Sequence, residues 1–435
     1  HRVLPSRIRN LFLLITSVFF YAWGEVRYVP LIAALALSNW LLGMVMDSAR
    51  AGGWRRFWLV IALGVDLGAL CFYKYADFFL TSVGLQELSP HVSLPLGISF
   101  FTFQAMGYLI DVYAGRIKAE KSLTDYATFM LLFPQLIAGP IVNFVDIKEQ
   151  LKARTMNAED LEAGMMLFVK GLAGKVLLAN QLGILWARAG GEGFITLSAP
   201  AAWLCITAFG LQIYFDFAGY SLMAIGMGRM LGFRFPANFD HPYATSSITM
   251  FWRHWHMTLS RWFRNYVYIP LGGNRKGTAR GIFNMLVVWL LTGLWHGASW
   301  NFVLWGLYYF IFLALERTVL KRWVERRTFL HSLYTLLVVL LGWVLFAFED
   351  LAMGLEYLQR MFSLRMGPDV LYYLRNDFVL LLISVLACIP PVVRGVTAAL
   401  SQNAFMRCVT YGILLILSVA CLLGDSYNPF LYFRF

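Results

Sequence analysis

Charged side chains are scarce in this sequence. Lys, Arg, Asp and Glu make up 14% of 435 residues, where soluble domains carry roughly 25%. A water-soluble protein of this length could not cover its surface with so few charges. Cysteines are few as well. Cys71, Cys205, Cys388, Cys408 and Cys421 are an odd number, scattered, with no CxxC pair, which supports neither a disulfide framework nor a zinc site. There is no Walker loop, GxSxG or HExxH motif, so soluble nucleotide or hydrolase chemistry has no foothold and no metal is expected. Internal repeats, low-complexity tracts and long linkers are missing too, so 1–435 reads as a single membrane-embedded domain.

Apolar runs are abundant. Hydrophobic residues reach 59% and the net charge is +12. The basic residues sit in short clusters between apolar stretches, the pattern of loops facing anionic lipid and not of a nucleic-acid surface. The fold class is therefore an all-α polytopic membrane protein. Candidate segments are Leu11–Trp23, Tyr28–Met46, Phe57–Tyr73, Leu94–Ile110, Tyr126–Val145, Gly164–Leu185 and Ala199–Met227, followed by Ile282–Trp300, Asn301–Leu315, Leu330–Phe348, Phe378–Val393 and Tyr411–Leu423. With about 20 residues needed per span, this predicts roughly 11–13 transmembrane or re-entrant helices. Arg2, Arg7 and Arg9 before Leu11–Trp23 mimic a signal peptide, but no small-residue cleavage site follows, and the segment reads as an uncleaved span.

Lys/Arg-rich short loops belong in the cytoplasm. The clusters are Arg50, Arg55 and Arg56; Arg253, Arg261, Arg264, Arg275, Lys276 and Arg280; and Arg317, Lys321, Arg322, Arg326 and Arg327. The last two bracket Ile282–Leu315, which predicts a hairpin entering and leaving on the cytoplasmic side. Its turn falls in WHGASWN, Trp295–Asn301. At 1.5 Å per residue His296 lies about 21 Å above Ile282, deep in a core about 30 Å thick.

An ionisable side chain at that depth is a functional candidate by default. The plain alternative for His296 is a neutral imidazole bonded to backbone at a helix bend. Its neighbours favour chemistry: Gly297, Ala298 and Ser299 leave room beside the ring, Trp295 and Trp300 supply apolar walls, and a neutral imidazole is the form a general base needs. His256 lies in Phe251–Gly273. On a helical wheel Phe251, Trp252, Trp255, Leu259, Trp262, Phe263 and Tyr266 share one face, Arg253, His254, Arg261 and Arg264 the other, and His256 the boundary. This predicts an amphipathic helix in the membrane interface. His254 and His256, two apart, point away from each other and make a weak metal pair. Gln212 and Asp216, inside another apolar run, line a pathway or serve structure, with an arginine such as Arg229 as partner to the acid.

The motifs IYFDFAGYSLMAIGMGRMLGFRFPANF, FWRHWHMTLSRWFRNYVYIPLGGNR and LTGLWHGASWNFVLWG, in this order, resemble the membrane-bound O-acyltransferase family, in its bacterial alginate O-acetylation branch. LPLGISFFTFQAMGYLIDVYAG, FPQLIAGPI and the terminal YNPFLYFRF extend the likeness over nearly the whole chain. Leu222, His254 and Asn265 depart from the branch's usual Asp, Arg and Asp. The resemblance implies a helical bundle in the bacterial inner membrane, with catalytic His296 and a second histidine at His256. It implies a cytoplasmic acyl donor (acetyl-CoA or another acyl carrier), no bound cofactor, and a periplasmic esterase-like partner. The final acceptor would be an exported polysaccharide, alginate first, peptidoglycan or another exopolysaccharide next. It also implies a further hydrophobic segment before His1. Arg253, Arg264, Trp295, Asp216 and Gln212 are the expected substrate- or donor-binding residues, and lipid the surrounding partner. A transporter or flippase of an acyl carrier is the rival from another class.

Overall fold

The computed structural model describes residues 4–49, 52–137, 139–191, 193–324 and 328–424. Arg2, Arg50, Arg326, Arg327 and the terminal motif at 427–435 lie outside them. Among the described residues the chain is helical, joined by short turns. Seven helical stretches are long and apolar enough to cross a membrane: Ile8–Ser48, Gly53–Ser82, Ala199–Met230, Gly277–His296, Phe329–Ala347, Asp369–Ala387 and Ala404–Gly424. Ile98–Tyr113 is shorter and packed inside protein. The protein is an all-α, multi-pass membrane protein, as its hydropathy predicts.

The chain forms two compact units. The first comprises His1–Phe168, Met223–Ala237 and Arg261–Val267. Ile98–Tyr113 is its central helix, buried on nearly every side. Trp262 stacks on Phe103 at 3.9 Å between centroids and donates its indole N–H to the Phe103 carbonyl. Tyr266 donates to the buried Asp111, and Arg261 pairs with Asp146 at 2.5 Å. Tyr126–Val145 is not the one span expected. It breaks into Leu123–Leu131, Phe133–Leu136 and a third helix beginning at Phe144, because Pro134 and Pro140 each remove a backbone donor and fix φ.

The second unit comprises Val169–Leu222, Asn238–Ser260 and Tyr268–Phe435. Its core is aromatic, with Trp255, Trp305, Trp343 and Tyr309 almost wholly enclosed. The predicted hairpin is present as helices Gly277–His296 and Trp300–Arg317. Gly293 and Gly306 let the two backbones touch: a Cβ on Gly293 would sit 2.3 Å from the Phe302 carbonyl oxygen, and one on Gly306 2.4 Å from that of Trp289. Small residues at such a crossing are how helices associate in lipid, where no hydrophobic force draws them together.

Candidate active site

The expected amphipathic helix around His256 is interrupted at that residue. Ile248–His254 is one helix and Met257–Phe263 another, and His256 between them has φ 43°, in the left-handed region. The first helix is held at its start by Glu316, whose carboxylate accepts from the N–H groups of Ile248 and Thr249, and by the Ser247 hydroxyl, which accepts from Met250 N. These satisfy donors that a helix N-terminus leaves open. Phe251, Trp252, Trp255, Leu259, Trp262, Phe263 and Tyr266, expected against lipid, are buried inside protein. The wheel identified the apolar face correctly. What covers that face is protein.

His256 is enclosed, 1% exposed. Its ring meets Phe217 edge-on at 4.7 Å and Trp295 at 5.5 Å. Its Nδ1 lies 3.0 Å from Asn238 Oδ1. The residue is outside the seven spans, and burial pulls its pKa down to about 3, because an imidazolium there would be stripped of water. It is neutral at physiological pH.

His296 ends the first hairpin helix and is 4% exposed. Its ring packs against Trp295, Trp305 and Phe346, at 5.0, 4.9 and 5.5 Å between centroids. The turn is pinned by Asn301, which donates to the Leu345 carbonyl and bonds the Ser299 hydroxyl. Two expected details differ. The space left by Gly297 is filled by the Phe302 ring, 2.2 Å from where a Cβ would stand, so it is a packing contact. Trp300 is 56% exposed, and Trp305 and Phe346 form the walls in its place.

The structure thus brings His256, Trp295 and His296 together. Asp216 is buried near this group by sequence, beside Phe217, but its partner is Lys175 at 2.5 Å and not Arg229, which pairs with Asp160 instead. Gln212 is half-buried, one helical turn before Asp216, with its amide against Gly183. Arg253 and Arg264 are exposed. Sequence reasoning missed Lys175 and Asn238. Lys175 had a signal, a lone charge in the apolar run Gly164–Leu185, which demands a partner. Asn238 gave none beyond being polar between apolar neighbours.

Fold and site define a polytopic helical membrane protein in which two buried histidines pack against one indole. Residues 116–355 match the membrane-bound O-acyltransferase family. The chain is 38% identical to "Probable alginate O-acetylase AlgI" of Pseudomonas putida, over 99% of this chain and 95% of that protein. It is 41% identical to the protein of the same description from Azotobacter vinelandii, over 82% and 74%. It is 36% identical to the peptidoglycan O-acetyltransferase of Helicobacter pylori, over 82% and 74%. The chain belongs to the membrane-bound O-acyltransferase family, in its alginate O-acetylase-like branch.

Proposed function

We propose that the chain is an inner-membrane O-acetyltransferase. It takes an acetyl group from a cytoplasmic donor, acetyl-CoA or another acyl carrier, for O-acetylation of an exported polysaccharide. The observation that carries this reading is the convergence of His256 and His296 on Trp295 inside a closed aromatic core. His296 is the catalytic residue, as general base or acyl relay, and His256 the second polar group of the site. A positioned base of this kind contributes about 10²–10⁴-fold in rate. All of 1–435 serves as one membrane-embedded catalytic domain. A cytoplasmic entrance for the donor and an extracytoplasmic funnel meet near His296, and a periplasmic esterase-like partner receives the acetyl group.

Alginate is the first choice of final acceptor, on the description of the relatives as probable alginate O-acetylases. Peptidoglycan is the second, on that of the Helicobacter relative. The test is the acetyl content of both polymers in cells that make or lack the chain. Loss from alginate alone supports the first acceptor, and loss from peptidoglycan alone replaces it by the second. Unchanged acetylation of every exported polymer overturns the reading.

A further inference from the structure

His256 holds a backbone conformation that costs a non-glycine residue free energy and persists only where its surroundings over-determine it. Asn238 supplies much of that determination. The Met257 N–H donates to the Asn238 carbonyl at 2.9 Å. On the Asn238 side chain, Oδ1 lies 3.0 Å from His256 Nδ1, 2.9 Å from Thr258 Oγ1 and 3.3 Å from Thr258 N. Its Nδ2 donates to Ser221 Oγ at 2.9 Å. Asn238 is itself 1% exposed, so it has no water to turn towards.

These contacts fix where protons are. A backbone N–H can only donate, so the amide atom facing Thr258 N is the oxygen, and the amide is not flipped. An amide oxygen can only accept, so His256 Nδ1 carries a hydrogen. A neutral imidazole has one N–H, and Nε2 is therefore left with its lone pair. That atom is buried and has no hydrogen-bond partner among the described residues. Buried acceptors in folded proteins are almost always satisfied, and among the described residues no donor reaches this one, which leaves it open to a hydrogen bond from a ligand. The ring's contacts, Phe217, Phe239 and Trp295, are uncharged. Of the charged groups near by in sequence, Asp216 is paired with Lys175, and Asp240 lies beside His241 and His254 at the surface. The His296 ring packs against the same indole.

We propose that Asn238 is a positioning residue of the site: it holds His256 as the Nδ1–H tautomer, so that Nε2 accepts a hydrogen bond from a substrate O–H or N–H. His256 is then a substrate-binding acceptor and not a donor to a developing oxyanion. The assignment rests on the acyl-transfer reading for its role, though not for the tautomer.

The tautomer is read directly from the imidazole nitrogen resonances of the full chain, labelled with ¹⁵N-histidine in lipid nanodiscs, with His256 identified by its disappearance in His256→Gln. The wild type should show protonated Nδ1 and bare Nε2 from pH 5 to pH 8. Asn238→Leu should lose that fixed tautomer and raise KM roughly tenfold, the cost of one misdirected hydrogen bond, with kcat less affected. Asn238→Asp retains the acceptor for Thr258 N–H and so serves where Asn238→Leu does not accumulate. Its carboxylate should raise the imidazole pKa by roughly 1–3 pH units, so that KM rises on acidification in the variant and stays flat in the wild type. A wild-type spectrum with hydrogen on Nε2 overturns the proposal whatever the reaction is. A folded Asn238→Leu with unchanged KM overturns the positioning role even if the tautomer is as stated. Failure of the acyl-transfer reading would show separately, as absent acetyl transfer with the tautomer intact.

Discussion

His256 and His296 face the same indole. Trp295 stands 5.5 Å from one imidazole and 5.0 Å from the other, edge-on to both. One histidine comes from a break between two short helices and the other from the end of a hairpin helix. Trp295 thus packs against both imidazoles. Trp295→Ala should destabilise the protein by about 3–5 kcal/mol, the usual cost of emptying a large aromatic site, and abolish acetyl transfer. Trp295→Phe keeps a ring against the histidines and should retain most of both. Thermal unfolding in detergent, alongside acetyl transfer, checks this. Equal loss in the two variants would mean that an aromatic ring in contact with both histidines is not what matters.

Lys175 and Asp216 form an ion pair closed off from water. Breaking such a pair leaves one uncompensated buried charge and costs about 3–5 kcal/mol, whereas replacing both partners by apolar residues is often neutral. Lys175→Met and Asp216→Leu should each lower the unfolding temperature sharply, and the double variant should recover most of the loss. A double variant as unstable as the singles would mean that the pair is coupled to a function beyond packing.

Burial of His256 has a pH consequence whose sign is fixed. In the unfolded chain its imidazole takes a proton near 6.5; in the folded protein it does so only near 3. Between those values the unfolded state binds more protons, so stability is fullest above pH 6.5 and falls as the pH drops towards 3, by at most about 1.4 kcal/mol per pH unit. His256→Gln should remove this slope. Unfolding midpoints of wild type and variant, measured from pH 7 down to pH 4.5, should converge on acidification. Parallel curves would contradict the burial argument.

The hairpin was legible because it depends on local spacing. Basic clusters at both ends and an apolar run between them leave few alternatives, and the turn falls at Gly297–Ser299 as the sequence predicts. The break at His256 was not legible. Its flanking aromatics continue one helical wheel without interruption, and the left-handed residue is a histidine, not a glycine. The contact that fixes it comes from Asn238, eighteen residues away, and no periodicity reports such a partner. Lys175 was legible in principle. An unexplained charge in an apolar run announces a pair, but the identity of its partner required the fold.

Arg253 and Arg264 are both exposed and remain available to an anionic donor. Replacing both with Gln should weaken donor use more at low ionic strength than at high, since salt already screens part of the attraction. The measurement is the salt dependence of KM for the acyl donor. An unchanged dependence would assign both arginines to lipid contact.

The decisive variant is His296→Ala. The side chain lies at the end of a helix in an aromatic enclosure of Trp295, Trp305 and Phe346. Removing one imidazole leaves the Gly293–Gly306 crossing and the Asn301 anchor of the turn untouched, so the protein should still insert and accumulate. On the role proposed for His296 as general base or acyl relay, acetylation should nevertheless disappear. His256→Ala should reduce activity less, since a substrate-holding acceptor contributes binding and not the chemical step. His296→Gln separates the enzyme from a transporter: it preserves a hydrogen-bonding side chain, so a carrier would keep its flux, whereas an acyltransferase would remain inactive. Membrane levels of each variant are measured together with the acetyl content of the exported polysaccharide. Normal acetylation by a well-expressed His296→Ala protein would end the catalytic assignment.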